Sequence, residues 1–111
     1  MITDFQKRVY ALVKKVPRGK VTTYSAIAKK LKSSPRAVGQ ALRVNPFAPV
    51  VPCHRVVKAD GTIGGFSGEI KGKPIQKKIA MLRKEGVVIQ GSTIEKKFFI
   101  RTRILFFYEK H

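Results

Sequence analysis

The residues best suited to chemistry stand in one run, Pro52-Cys53-His54-Arg55-Val56, and its cysteine is the only one in 111 residues. A thiol attacks as the thiolate, so it needs a base or positive surroundings to bring its pKa below the model value of about 8.5. His54 and Arg55 follow it directly. Adjacent side chains on a strand or helix point apart, so His54 reaches Cys53 only at a turn or through a bridging water. Pro49 and Pro52 favour a turn there. A histidine base works best when a third group orients it. Of the 6 acids, Asp4, Asp60, Glu69, Glu95 and Glu109 fall at expected helix ends, in loops or in the tail. Glu85 falls in the last turn of an expected helix, the end where the dipole disfavours an acid, and so invites a specific reason. Without such a partner, the pair would be a small buried hydrophobe beside an unrelated histidine.

The charge says what a reactive thiol would meet. With 24 Lys and Arg against 6 Asp and Glu, the net charge is +18. That excess predicts salt-sensitive attraction to a polyanion, with nucleic acid favoured over a merely solvated charged shell. One cysteine cannot form an intramolecular disulfide, and the N-terminus lacks the apolar core of a signal peptide, so an intracellular, reduced setting is expected. No apolar run approaches the ~20 residues of a membrane span. The length fits a single domain with one modest core.

The elements that must position these residues follow from period and punctuation. Thr3-Asp4-Phe5-Gln6 is a capping box, and Phe5, Val9, Leu12, Val13 and Val16 recur at helical spacing. Pro17 to Lys20 ends that helix, and Val21 and Thr22 read as extended. A second helix begins near Thr23, with Tyr24, Ile27, Ala28 and Leu31 on one face. Ser34 and Pro35 start a third. Its buried stripe is Val38, Ala41 and Leu42, while Arg36, Gln40 and Arg43 share another face. Two short helices across a few polar residues, the second basic outside, form a helix-turn-helix pattern; the plainer reading is a helical hairpin with solvated arginines. Gly39, on or near that face, would let another backbone come close, or is simply a poor helix residue tolerated for packing.

Asn45-Pro46 stops the third helix. Residues 47–52 read as an apolar, proline-punctuated passage through the interior that delivers Cys53 from inside. Arg55 to Lys58 alternates like a strand, Asp60-Gly61 is a hairpin turn, and Thr62 and Ile63 form the expected return strand. Residues 64–68 are too glycine-rich for regular structure. Pro74 opens a last helix with Ile75, Ile79 and Leu82 inward and Gly86 as its stop. Residues 87–90 look extended. The period leaves helix or strand open in the aromatic-rich tail, which should pack on the body.

Pro52-Cys53-His54-Arg55-Val56-Val57 resembles the active-site signature of the O6-alkylguanine-DNA alkyltransferases, also called methylated-DNA–protein-cysteine methyltransferases. The stretch Arg36-Ala37-Val38-Gly39-Gln40-Ala41-Leu42-Arg43, then Asn45-Pro46, resembles that family's recognition helix and following asparagine. Similarity runs over about residues 5–86, the family's C-terminal catalytic domain. The resemblance implies that Cys53 takes an alkyl group from guanine O6 of a flipped base, once and irreversibly. It further implies that His54 removes the thiol proton through a water while Glu85 orients it, and that Tyr24 protonates the leaving base at N3. Arg36 would fill the space of the extruded nucleotide and Asn45 would brace the active-site turn. Ala37, Gly39, Gln40 and Arg43 would line the DNA surface. The carbonyls of Cys53 and Val56, with Phe66, Ser67 and Gly68, would form the base pocket. No metal or other cofactor is implied. The partner would be double-stranded DNA carrying O6-alkylguanine, entered from the minor groove by a monomer.

The family's usual N-terminal domain has no counterpart in the sequence. Phe66 stands where a tyrosine is common, and Glu69 replaces a small residue nearby. The expected fold is mainly α with a small β element, a winged-helix-like helix-turn-helix domain over residues 1–90 with a C-terminal extension over 91–111 packed on it. A non-catalytic, alkyltransferase-like lesion-binding protein is the alternative, although such proteins replace the acceptor cysteine. A winged-helix regulator would need base-reading side chains on the third helix, where Ala37 and Gly39 suit close approach better. A redox sensor would need a resolving thiol.

Overall fold

The computed structural model describes residues 2–64 and 72–101, so Phe66, Ser67, Gly68, Glu69 and the tail from residue 102 lie outside the described residues. Helix α1 (Asp4–Val13) is capped by Thr3, whose hydroxyl accepts from Gln6 N while the Gln6 side chain accepts from Thr3 N. Helix α2 (Tyr24–Leu31) is capped by Thr23 and helix α3 (Pro35–Arg43) by Ser34. Lys32, between α2 and α3, takes a left-handed conformation at φ 55° that turns the chain sharply into the second helix of the pair. The helix-turn-helix and the small β content thus stand as the patterning required.

Tyr10 locks this half together. Its hydroxyl donates to Ala41 O at 2.7 Å, and its ring meets Phe47 edge-on, centroids 5.9 Å apart. Val9, Leu12 and Val13 of α1, Ile27 and Ala28 of α2, and Val38, Ala41 and Leu42 of α3 make one core. A second core gathers Val21, Val57, Ile63, Leu82, Val87, Ile89 and Ile94.

Between the cores run β1 (Thr22–Thr23) and β2 (Val56–Val57), paired in parallel with Thr22 opposite Val56 and Thr23 opposite Val57. Successive strand residues point to opposite faces. Val56 therefore enters the first core and Val57 the second. The expected alternation of buried and exposed residues is replaced by burial on both sides, because the strand lies between two apolar layers. The turn after β2 forms as Asp60-Gly61 predicts, with Gly61 N donating to Lys58 O. Its return segment pairs elsewhere: Thr62 bridges Thr93, and Ile63 N donates to Ser92 O.

Helix α4 (Lys73–Lys84) ends at Glu85 and Gly86, the latter at φ 93°. Strands β3 (Ile89–Gln90) and β4 (Thr93–Ile94) form an antiparallel hairpin spanning position 90. Beyond it, Phe98 O accepts from Val21 N, and Phe98 and Phe99 pack on the second core. The segment 47–52 departs from expectation. Residues 46–50 lie at the surface, with Val50 70% exposed, and only Val51 and Pro52 turn inward. Prolines disrupt regular pairing, and the unpaired peptide groups of such a stretch are satisfied more readily by water than by a core.

Candidate active site

The strand pair places the site. One residue beyond Thr23, Tyr24 opens α2, while immediately before Val56 the chain forms a 3-10 turn, Cys53–Arg55. Pairing β1 with β2 thus brings Tyr24 and Cys53 to the same end of the seam, both half-buried against the first core. Asn45 Nδ2 donates to Val51 O at 3.0 Å, and Asn45 Oδ1 accepts from Phe47 N at 2.9 Å, so one side chain spans the loop that leads into Cys53.

His54 is buried, and its Nε2 lies 3.0 Å from Glu85 Oε2. Burial holds its pKa below the usual histidine value, outweighing the opposite pull of Glu85. The ring is thus neutral at neutral pH. An ionised carboxylate only accepts, so the ring proton sits on Nε2, and Nδ1 keeps the lone pair of a base. Arg55 fastens the acid from the other side, donating from Nε to Oε1 at 2.9 Å and from its terminal nitrogen to Oε2 at 2.7 Å. Its other terminal nitrogen donates to Val16 O at 2.9 Å. Burial by itself would raise the Glu85 pKa, but hydrogen bonds from Arg55 and His54 bring it down to about 2. This supplies the specific reason for an acid at the C-terminal end of a helix.

Tyr24 is held as a phenol. Burial foremost, then the charge of Cys53, pushes its pKa up to about 12, leaving a hydroxyl that can donate a proton. Its ring borders two glycines: a Cβ on Gly39 would lie 3.9 Å from its Cε1, and one on Gly64 would lie 3.2 Å from its Cε2. Arg36, Gln40 and Arg43 are exposed on α3, with Ala37 half-buried beside them. The fold therefore brings Cys53, His54, Val56 and Glu85 together with Tyr24, while the basic side chains of α3 face outward. Phe66, Ser67 and Gly68 lie outside the described residues.

Two participants have partners that sequence reasoning does not supply. Arg55, which reads only as positive surroundings for the thiol, is the side chain that fixes Glu85. Lys78 is completely buried and donates to Val56 O at 2.8 Å and Ile63 O at 2.6 Å. The available signal was its spacing, since Lys78 falls with Ile75, Ile79 and Leu82 at i, i+3, i+4 and i+7, on the apolar face of α4.

Fold and site together define a helix-turn-helix domain carrying a thiol, a neutral histidine and an ionised, arginine-clamped glutamate. Residues 4–87 match the family described as 6-O-methylguanine DNA methyltransferase, DNA binding domain, and the chain belongs to that family. It is similar to the methylated-DNA–protein-cysteine methyltransferase of Methanothermobacter thermautotrophicus, 43% identical over 89 residues, covering 80% of this chain and 48% of that protein. For the Archaeoglobus fulgidus protein of the same name, identity is 47% over 77% of this chain and 58% of the relative. Among solved structures, the O6-methylguanine-DNA methyltransferase of Pyrococcus kodakaraensis is 49% identical with a TM-score of 0.67, over 78% of this chain and 48% of that one. Schizosaccharomyces pombe Atl1, solved with damaged DNA containing O6-carboxymethylguanine, is 31% identical with a TM-score of 0.73, over 91% of this chain and 99% of that one. The chain spans about half the length of the curated relatives it matches.

Proposed function

We propose that this chain repairs DNA by moving an alkyl group, methyl in the simplest case, from guanine O6 to Cys53, in a single irreversible step that consumes the protein. The observation that carries this reading is the placement of the lone thiol beside a neutral histidine whose tautomer is set by Glu85. His54 Nδ1, through a water, takes the thiol proton. Sγ attacks the alkyl carbon as the carbon–oxygen bond breaks, and the electron pair passes to the purine. Tyr24 O–H protonates N3 of the departing guanine. Asn45 braces the turn, the carbonyls of Cys53 and Val56 accept from the guanine amino group, and Phe66, Ser67 and Gly68 close the base pocket.

The surface of α3, with Arg36, Ala37, Gly39, Gln40 and Arg43, enters the minor groove of double-stranded DNA as a monomer. Arg36 takes the space of the flipped nucleotide, a role suited to a long cation that stacks. Residues 1–90 form the catalytic unit and 91–111 an extension on it, a division supported by the packing of Phe98 and Phe99 on the second core. Among the described residues, no helix is long and apolar enough to cross a membrane.

The match to almost the whole of Atl1 favours a second reading, a protein that binds O6-alkylguanine lesions without removing them. Intact mass separates the two. Incubation with a duplex containing O6-methylguanine is expected to add one methyl mass to Cys53, never more. An unchanged mass with the lesion persisting would leave only lesion binding.

Gly39 gives an independent check of the DNA surface. Its Cβ position has ordinary contact distance and no positive φ, so Gly39→Ala is expected to raise stability by about 0.5–1 kcal/mol through helix propensity. Duplex affinity should nonetheless fall, because the methyl keeps the backbone from close approach. Thermal melts and binding titrations measure the two effects; affinity that is unchanged or improved would remove Gly39 from the interface.

A further inference from the structure

Lys78 is the largest completely buried side chain in the described structure, yet it carries an amine. A leucine or methionine would complete the α4 face made by Ile75, Ile79 and Leu82 without the cost of burying a polar head. What the amine adds is a set of contacts, each on a different part of the candidate pocket. Val56 O, 2.8 Å away, belongs to the residue that ends the thiol turn, since Val56 N donates to Cys53 O. Ile63 O, 2.6 Å away, directly precedes Gly64, which borders the Tyr24 ring. The Tyr24 ring itself lies with its centroid 5.8 Å from Nζ, within reach of a cation–π attraction.

We propose, resting on the alkyltransferase reading, that Lys78 is a positioning residue for transfer, its ammonium holding the thiol turn, the Tyr24 ring and the backbone at Ile63–Gly64 at the separation an extruded guanine needs. A carbonyl oxygen has two acceptor sites, so Val56 O keeps one for the guanine amino group while Lys78 fixes its direction. The cation also adds positive potential where negative charge develops on the thiol and then on the departing purine. Burial lowers its pKa to about 7, and the charge of Cys53 pulls the other way. The group is therefore charged below about pH 7 and increasingly a neutral amine above it. The titratable neighbours are Cys53 and His54 on the thiol turn, Tyr24 on α2, and Lys58 beside Gly64.

The test measures alkyl transfer by the wild-type chain, Lys78→Met and Lys78→Gln, using duplex O6-methylguanine and the free base, with affinity for unmodified duplex measured in parallel. Both variants are expected to lose about 100-fold, the size of loss that an ångström of misplacement produces. The loss should fall in the first-order transfer step, be equal for the two substrates, and leave unmodified-duplex affinity unchanged. The ratio of wild-type to Lys78→Met rates should shrink between about pH 6 and about pH 9, as the amine loses its charge. Taking that ratio cancels titration that the two proteins share. Wild-type-like transfer by both variants, a ratio independent of pH, or duplex affinity falling in step with the rate would overturn the proposal. A wild-type chain that transfers nothing overturns the alkyltransferase reading as well, whereas an active wild type beside an equally active Lys78→Met overturns this proposal alone.

Discussion

Cys53→Ala is expected to abolish alkyl transfer, lowering the rate by at least about 10⁶-fold to that of the uncatalysed reaction, while leaving duplex binding intact. The thiol is both nucleophile and final acceptor, so no other side chain can complete the step. The described residues hold no other cysteine, and the sequence contains none elsewhere. Binding should survive because the exposed face of α3 is remote in sequence from the substitution and is held by its own contacts, Ser34 capping its start and Tyr10 O–H its end. Removing one half-buried sulfur should cost only about 1 kcal/mol. Intact mass after incubation with the alkylated duplex, together with a binding titration on the same lesion, measures both halves. A methyl adduct on the Cys53→Ala protein would refute the acceptor assignment.

Glu85→Gln has the second largest expected effect and acts on two properties at once. The carboxylate takes three hydrogen bonds, one from His54 and two from Arg55. An amide can replace neither its charge nor its acceptor-only character. Its nitrogen would face either Nε2–H of His54 or the guanidinium, donor against donor. The imidazole loses the partner that fixes its tautomer, which should slow transfer by about 10²–10⁴-fold. The largely buried Arg55 guanidinium loses its counter-charge, for about 3 kcal/mol of destabilisation at neutral pH.

Acid gives a further signature. The folded pKa of Glu85, about 2, lies below its unfolded value of 4.5. Its contribution is therefore complete above about pH 4.5 and drains away as pH falls through about 2. The stability gap between wild type and Glu85→Gln should accordingly be widest at neutral pH and close towards pH 2. Denaturant melts across that range measure it, and a gap that stays constant would mean that the Glu85 charge is not what stabilises the fold.

Much of this architecture is legible before any coordinates. The capping box at Thr3, the cap at Ser34 with Pro35 behind it, and the apolar spacings of α1, α2 and α3 are local signals, and local signals survive folding because each is satisfied within a few residues of itself. Glu85 stands out by a local misfit, an acid at the wrong end of a dipole. The passage at 47–52 differs from its sequence expectation because apolar composition alone does not reveal where a chain's peptide groups find partners. The return strand goes to β4 rather than to its hairpin neighbour for a similar reason: strand pairing is a long-range choice that a turn signal does not make.

The sequence by itself determined the helix-turn-helix, the charge that seeks a polyanion, and the identity of the one residue able to act as a thiol nucleophile. These follow from periodicity, composition and reactivity, none of which requires distant parts of the chain to meet. Only the tertiary structure decided that Arg55 reaches back to clamp Glu85, that His54 is buried and neutral, and that a lysine inside the apolar face of α4 spans Val56 and Ile63. Burial and partnership are properties of the assembled chain. A charged side chain reads as solvent-facing until packing removes the water and puts carbonyls in its place.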